Sequence, residues 1–332
     1  MTNPVIVETT RGGIVESRHR GAVAVTGPDG AVLKAVGDID TPIFPRSAIK
    51  ALQALPMVES GAAEAFGFAD AEIALACASH NGEEAHVRTV RAMLRKIGLE
   101  EAALACGPQW PRDGCRLRCS GSEPGDVHNN CSGKHAGMLA LARHTGVDPE
   151  GYWRMGHPVQ RRVMATISEV CDHDLSAAPW GHDGCSLPNW AIPLRQLSRG
   201  FSRLATGLDM PRERARAAER IVSAVRAEPF MVAGTDRFCT RLMEAVPRAF
   251  VKVGAEGVYC ACVPHAGIGI ALKCDDGSRR AAEVAVASVL ASLDVWTEEE
   301  HARLRELARV PIENFRGIRT GEIRPAAVLD EE

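Results

Sequence analysis

The chain has 332 residues, of which 45% are hydrophobic and 24% charged, enough apolar material for one large domain or two merged ones. Thirty-nine Lys and Arg against 42 Asp and Glu give a net charge of −3 and a pI near 6.4, so no basic surplus steers it to nucleic acid. The mean hydropathy is −0.09, no apolar run approaches the ~20 residues of a membrane span, and the opening MTNPVIVETTRGG lacks a basic region followed by an apolar stretch, so neither membrane insertion nor a secretory signal is expected.

Near the start, GGIVESRH, AVAVTG and AVLKAVG carry β-favouring residues, and GPDG (27–30) between the last two predicts a hairpin. From PRSAIKALQALPM onward the pattern turns helical. Pro45 stands just before the expected helix start, and Ala48, Leu52 and Leu55 recur at helical spacing. Further helices are predicted at 83–97, 132–145, 158–171, 192–205 and 211–227, while 106–130, rich in Gly, Pro, Cys and Asp, reads as loop. Strand character returns in RAFVKVG, GVYCACV and GIGIALKC. Helices at 279–294 and 297–308 follow, and the last twenty or so residues read as irregular. Strands at both ends around a helical middle predict an α+β fold, with N- and C-terminal strands in one antiparallel sheet flanked by helices. The whole chain is read as a single domain in which 1–45 and 246–332 form the sheet part and 46–245 the mostly helical part.

Two compositional details bear on chemistry. The 11 Cys are an odd number scattered along the chain, a pattern of cytoplasmic thiols rather than of a disulfide framework. Lys occurs only six times, at 34, 50, 96, 134, 252 and 273, so 33 of the 39 basic residues are Arg. Only the amine of Lys readily loses its proton inside a protein, so each Lys draws attention.

Ser47 and Lys50 in PRSAIK share a helix face at i, i+3. A serine is a poor nucleophile until a base removes its proton, and a lysine can be that base when burial or a nearby cation keeps part of it neutral. The plain alternative is a helix start with a surface Lys. Downstream stand Ser79-His80-Asn81 and Lys252-Val253-Gly254, the latter on a predicted strand. Serine β-lactamases and penicillin-binding proteins use Ser-x-x-Lys, Ser-x-Asn and Lys-Thr/Ser-Gly in this order. Here Val253 replaces the hydroxyl residue, and Ser47 and Ser79 are only 32 residues apart.

A second constellation joins NNCSGKHAGM (129–138) and GHDGCSLPNW (181–190). Cys131 and Lys134 repeat the i, i+3 geometry with a thiol, and Cys185 sits in a Gly-flanked turn. Two thiolates can hold Zn²⁺, with His135, His182 or a neutral Lys134 as further ligands; the alternative is that the cysteines are small core hydrophobes. Cys115 and Cys119 form a weaker pair, and Cys260 and Cys262 alternate on a predicted strand toward one face.

The segments RGGIVESRHRGAVAV, PRSAIKALQALPMVE, IALACASHNGEEAH, NNCSGKHAGMLA, WGHDGCSLPNWAIPL and MVAGTDRFCTRLM together closely resemble bacterial asparaginase II proteins, the Rhizobium etli-type class 3 L-asparaginases, over about residues 10 to 295. The resemblance implies a serine β-lactamase-like fold, a homodimer, and hydrolysis of L-asparagine to aspartate and ammonia. It assigns Ser47 as nucleophile, Lys50 as its base, and Ser79 with Lys252 as a second Ser–Lys pair. Cys131, Lys134 and Cys185 match a zinc site with an unusual lysine ligand, accessory to the serine chemistry. Cys239 matches a family cysteine near the active region, Arg46 a residue for the substrate carboxylate, and Glu16 is a candidate for the substrate ammonium. The chain departs from the family pattern at 106–128, CGPQWPRDGCRLRCSGSEPGDVH, which puts substrate range in doubt. Rival readings are a glutaminase, a β-lactam-interacting serine hydrolase and a non-enzymatic zinc-binding protein; no nucleic-acid or membrane partner is expected.

Overall fold

The computed structural model describes residues 2–329, and these divide into two compact units. One runs through Ala48, takes in Ile192–Ser202 and resumes at Leu242; the other comprises Ile49–Ala191 and Arg203–Arg241.

The first unit is built on strands. In chain order these are β1 (Val5–Arg11), β2 (Ile14–Thr26) and β3 (Val32–Val36); the short pair β4 (Trp180–His182) and β5 (Pro188–Trp190) belongs to the second unit; then come β6 (Phe250–Val253), β7 (Val258–Val263), β8 (Ile268–Cys274), β9 (Val310–Glu313) and β10 (Arg319–Pro325). The first unit's strands form one antiparallel sheet in the order β6-β7-β8-β2-β1-β10-β9, with β3 also on β2. The α+β class and the meeting of N- and C-terminal strands are as the sequence predicts. So is the hairpin at 27–30, closed by Gly27 N–H to the Ala31 carbonyl at 2.9 Å.

β2 organises this sheet. Its first half pairs with β1 and its second half lies between β8 and β3. GGIVESRH and AVAVTG, two strands on sequence reading, are therefore one. The exchange of partners falls at Gly21, where an added Cβ would lie 2.3 Å from the Lys273 carbonyl oxygen and 2.6 Å from Ile6 Cδ1; only a residue without a side chain lets the neighbouring strands approach there. β6, β7 and β8 are buried along their length, and the helix Arg279–Ala291 packs on the sheet, touching β1, β7, β8 and β10. Cys260 and Cys262 on β7 are both fully buried. One expectation fails: the C-terminal residues are not irregular but supply β9 and β10, which extend the sheet beyond β1. β9 alternates half-buried and exposed positions, β10 is mostly half-buried, and they carry Pro311 and Gly321, so they read as loop by composition.

The second unit is helical. Glu84–Lys96, Ser132–His144, Pro158–Cys171 and Arg212–Ala227 fall where the periodicity places them. Ser132 to Ala142 are all buried, because GKHAGMLALA is small or apolar apart from Lys134 and His135, which find partners in Cys185 and Tyr152. Arg214 ties the helices together by donating to Glu59, 2.9 Å from its Nε, and to Glu169. The 106–130 region is largely irregular, with a short helix at Cys115–Cys119 and a 3₁₀ turn at Asp126–His128. Residues 192–202 group with the sheet-bearing unit rather than with the helical one. Among the described residues no helix is long and apolar enough to cross a membrane.

Candidate active site

Ser47 lies in a 3₁₀ turn, Arg46–Ile49, that runs directly into the helix Lys50–Glu59. Arg46, just before the serine, has φ of 52°. A side-chain-bearing residue in that left-handed region costs of order 1 kcal/mol or more and marks a backbone fixed by its surroundings. One of those surroundings is visible. Gly254 follows Lys252 and Val253 at the end of β6, and a Cβ there would stand 2.5 Å from the Pro45 carbonyl oxygen and 3.3 Å from Ala48 Cβ. The glycine of Lys252-Val253-Gly254 thus lets the strand end lie against the segment that carries Ser47. Lys252 itself is fully buried and donates from Nζ to the Val253 carbonyl at 2.9 Å.

In the helical unit, Lys50 is the first residue of its helix and is wholly excluded from solvent. Its Nζ donates to the Ala78 carbonyl at 2.5 Å and to Ser79 Oγ at 2.9 Å. Burial is the largest influence on this amine and brings its pKa below that of an ordinary lysine; the charge of Lys134 acts the same way, while Cys131 and Cys185 oppose it. The structure therefore gives Lys50 a serine partner in Ser79, where spacing alone had pointed to Ser47.

The loop carrying Ser79 is held from several sides. Ser79 N–H donates to the Val232 carbonyl at 3.0 Å, and His80 N–H to the Asn130 carbonyl at 3.2 Å. Arg237 Nη1 donates to the Ser79 carbonyl at 3.3 Å and to Asn81 Oδ1 at 3.0 Å. Sequence reading missed Arg237: it lies within MVAGTDRFCTRLM, from which only Cys239 was drawn, and nothing local marks an arginine 158 residues from its partner. Cys239 is buried on the helix Phe238–Ala245. His80 accepts from Gly82 N–H at Nδ1 and meets Ser132 Oγ at Nε2, 3.0 Å away. With burial holding its pKa well below the usual imidazole value, it is a neutral structural residue. Glu16 lies on the exposed part of β2, where Arg11 Nε donates to its carboxylate at 2.9 and 3.0 Å; this is a surface ion pair.

Cys131, Lys134 and Cys185 do come together. Cys131 precedes the helix Ser132–His144 and Lys134 is in its first turn, whereas Cys185 sits in the loop between β4 and β5, beside Ser186 with φ of 73°. Lys134 Nζ donates to Cys185 Sγ at 3.2 Å. A hydrogen bond from Cys131, with the charge of Lys134, outweighs burial and brings Cys185 down to about 5, so it is a thiolate. The same bond and burial push Cys131 up to about 12. Lys134, although buried, is raised by the charge of Cys185 and stays an ammonium. Two sulfurs, one already anionic, and an amine converge in a protein-lined spot, and that donor set suits a zinc ion with one open position. The amine is essential to it: among the described residues no three His, Cys, Asp or Glu converge for a metal. His135 instead meets the Tyr152 hydroxyl at 2.5 Å, and His182 meets the Ser186 carbonyl at 3.0 Å on the surface.

A family model described as L-asparaginase II matches residues 7–325. No curated protein is significantly similar in sequence. Among solved structures, one of a protein named Mglu in its native form shares 16% identity at a TM-score of 0.44, covering 82% of this chain and 63% of its own; the chain thus spans less than two thirds of that protein's length. A β-lactamase from Mycobacterium bovis shares 15% identity at a TM-score of 0.39, over 87% of this chain and 95% of its own. A D-alanine carboxypeptidase from Burkholderia cenocepacia shares 13% identity at a TM-score of 0.39, over 87% and 92%.

Proposed function

The chain belongs to the L-asparaginase II family, and on that premise we propose that this amidohydrolase hydrolyses L-asparagine to L-aspartate and ammonia through a serine ester. The observation that carries the chemistry is Lys50: a wholly buried amine with a lowered pKa, in hydrogen-bond contact with a serine hydroxyl. In this reading neutral Lys50 takes the proton of Ser47, the residue one turn earlier in the chain, as its oxygen attacks the side-chain amide carbon. The proton passes to the leaving nitrogen, ammonia departs, and water then releases aspartate from the β-aspartyl ester. Ser79, bonded to Lys50, relays the proton. Lys252, as a second cation, favours the neutral form of Lys50. Arg46 takes the substrate carboxylate. Backbone N–H groups beside the nucleophile stabilise the oxyanion, a contribution worth several kcal/mol in such reactions.

Cys131, Lys134 and Cys185 would hold zinc, which when bound supplies a Lewis acid next to the serine chemistry. For that the Cys131 thiol and the Lys134 ammonium must both give up a proton. The serine route is complete without the metal, so zinc is read as accessory, and a chelator that abolishes turnover without unfolding the protein would reverse that ranking. The family resemblance further suggests a homodimer.

The 2.9 Å contact from Lys50 to Ser79 favours one second reading, in which Ser79 is the nucleophile and Ser47 the relay. Ammonia release from asparagine, with glutamine and a chromogenic β-lactam as controls, tests both. Ser47→Ala should lower turnover by about 10³-fold or more, and Ser79→Ala should be the milder lesion. The reverse order would install Ser79 as nucleophile. An unaffected Ser47→Ala and Ser79→Ala pair, or a wild type inert toward every amide, would remove the proposal.

A further inference from the structure

The helical unit contains a cavity of about 860 Å³ whose wall is drawn partly from the 106–128 segment. Ligand pockets commonly fall in the range of about 300–1,000 Å³. None of Ser47, Lys50, Ser79, Lys252, Cys131, Lys134 or Cys185 lines it, so it is separate from the groups that carry the proposed hydrolysis.

The cavity wall is built rather than incidental. Arg112 N–H donates to the Asn81 carbonyl at 2.9 Å, fixing the 106–128 segment to the Ser79 loop. Glu83 then ties that loop to residue 235: Oε1 accepts from Asn81 Nδ2 at 2.9 Å and from Thr235 N–H at 2.8 Å, and Oε2 accepts from the Thr235 hydroxyl at 2.8 Å. Although burial opposes it, these bonds hold the Glu83 carboxyl below its ordinary pKa, so the clamp is anionic.

Among the charged side chains on this wall, two face the cavity from its two loops. The Arg112 guanidinium and the Asp236 carboxylate both line the cavity, and neither has a side-chain partner among the described residues. Asp236 also holds φ of 58°, a left-handed backbone that the chain maintains at a cost. The same wall carries Val87, Leu117 and the ring of Phe230, alongside the charged Glu84, Arg91 and Asp113. Phe230 is braced by stacking on His86, 4.6 Å between ring centres.

We propose that this cavity binds an α-amino acid zwitterion with an apolar side chain: Arg112 receives the carboxylate, Asp236 the ammonium, and Val87, Leu117 and Phe230 the side chain. A guanidinium is matched to a carboxylate by its fork of donors. A ligand bearing only one charge leaves one of the two wall charges unanswered. The apolar walls add the area that a small polar amide such as asparagine lacks.

The test uses three probes that share a phenyl group. L-Phenylalanine, phenethylamine (no carboxylate) and 3-phenylpropionate (no ammonium) are titrated calorimetrically into the full chain. L-Phenylalanine should bind at one site per chain, and each single-charge probe about tenfold more weakly or worse. Arg112→Gln and Asp236→Asn should each weaken L-phenylalanine by about tenfold while asparagine turnover stays at the wild-type level; Asn at 236 keeps the left-handed backbone accessible. Equal binding of the three probes, no binding at millimolar concentrations, or an affinity unmoved by both substitutions would overturn the proposal. So would a parallel loss of asparagine turnover in both variants, which would make the cavity part of the substrate site. Because binding is read without turnover, a chain inactive toward asparagine leaves this result to be judged independently.

Discussion

Two lysines of the helical unit make an instructive pair. Lys50 and Lys134 are both buried, yet burial wins at the first and loses at the second. Lys50 faces a carbonyl and a hydroxyl, 2.5 and 2.9 Å away, which accept hydrogen bonds but carry no net charge. Lys134 faces the Cys185 thiolate at 3.2 Å. The first amine is thereby shifted toward its neutral form and the second held as an ammonium. The same residue type is thus pushed toward neutrality at one place and kept as a counter-ion at another, and the difference lies in the partner rather than in the depth of burial.

Substitutions at the two positions should separate these roles. Lys50→Met has the largest expected effect, a fall in asparagine turnover of about 10³-fold or more with a thermal transition that stays cooperative; turnover within tenfold of wild type would break the comparison. Cys185→Ser comes next. It strips Lys134 of its counter-charge inside the protein and should cost about 3 kcal/mol of stability in denaturant unfolding, together with most of the zinc taken up on reconstitution. Combining it with Lys134→Met should restore part of that stability but none of the zinc.

Smaller effects test the frame around the pair. Gly254→Ala pushes a methyl against the Pro45 carbonyl, 2.5 Å away, and should cost about 1–3 kcal/mol; because the crowded segment carries Ser47, turnover should fall further than the stability loss explains. Glu300, in the sheet-bearing unit, is a control for ordinary ion pairing. Arg248 is the chief cause that holds its carboxyl at about 2, with Thr297 assisting. A depressed carboxyl stabilises the fold above its unfolded pKa of about 4.3, and that stability is lost as pH falls from there toward 2. Glu300→Gln should therefore be less stable than wild type at neutral pH, with the gap closing in acid, and with no change in turnover.

Much of this was legible in the chain because it is local. Helical periodicity places the helices from Glu84 to Ala227 within a residue or two, and the Ser-x-x-Lys and Cys-x-x-Lys spacings single out Ser47, Lys50, Cys131 and Lys134. What escaped depends on distant partners. β9 and β10 have weak strand composition and exist because β1 offers them an edge. Arg237 reaches Ser79 across 158 positions. The bond from Lys50 to Ser79 needs two helices to meet, a fact no spacing rule contains. The fate of Lys134 likewise hangs on Cys185, 51 residues away in a turn between two short strands.

The central claim is that an alcohol of this chain, freed of its proton by Lys50, carries the aspartyl group for part of each turnover. Acid-quenching the enzyme during steady turnover of asparagine, then digesting it and reading the peptides by mass spectrometry, tests it directly. The account predicts an aspartyl ester on the peptide containing Ser47, absent from Lys50→Met. Sustained ammonia release with no ester on Ser47 or Ser79 would contradict it.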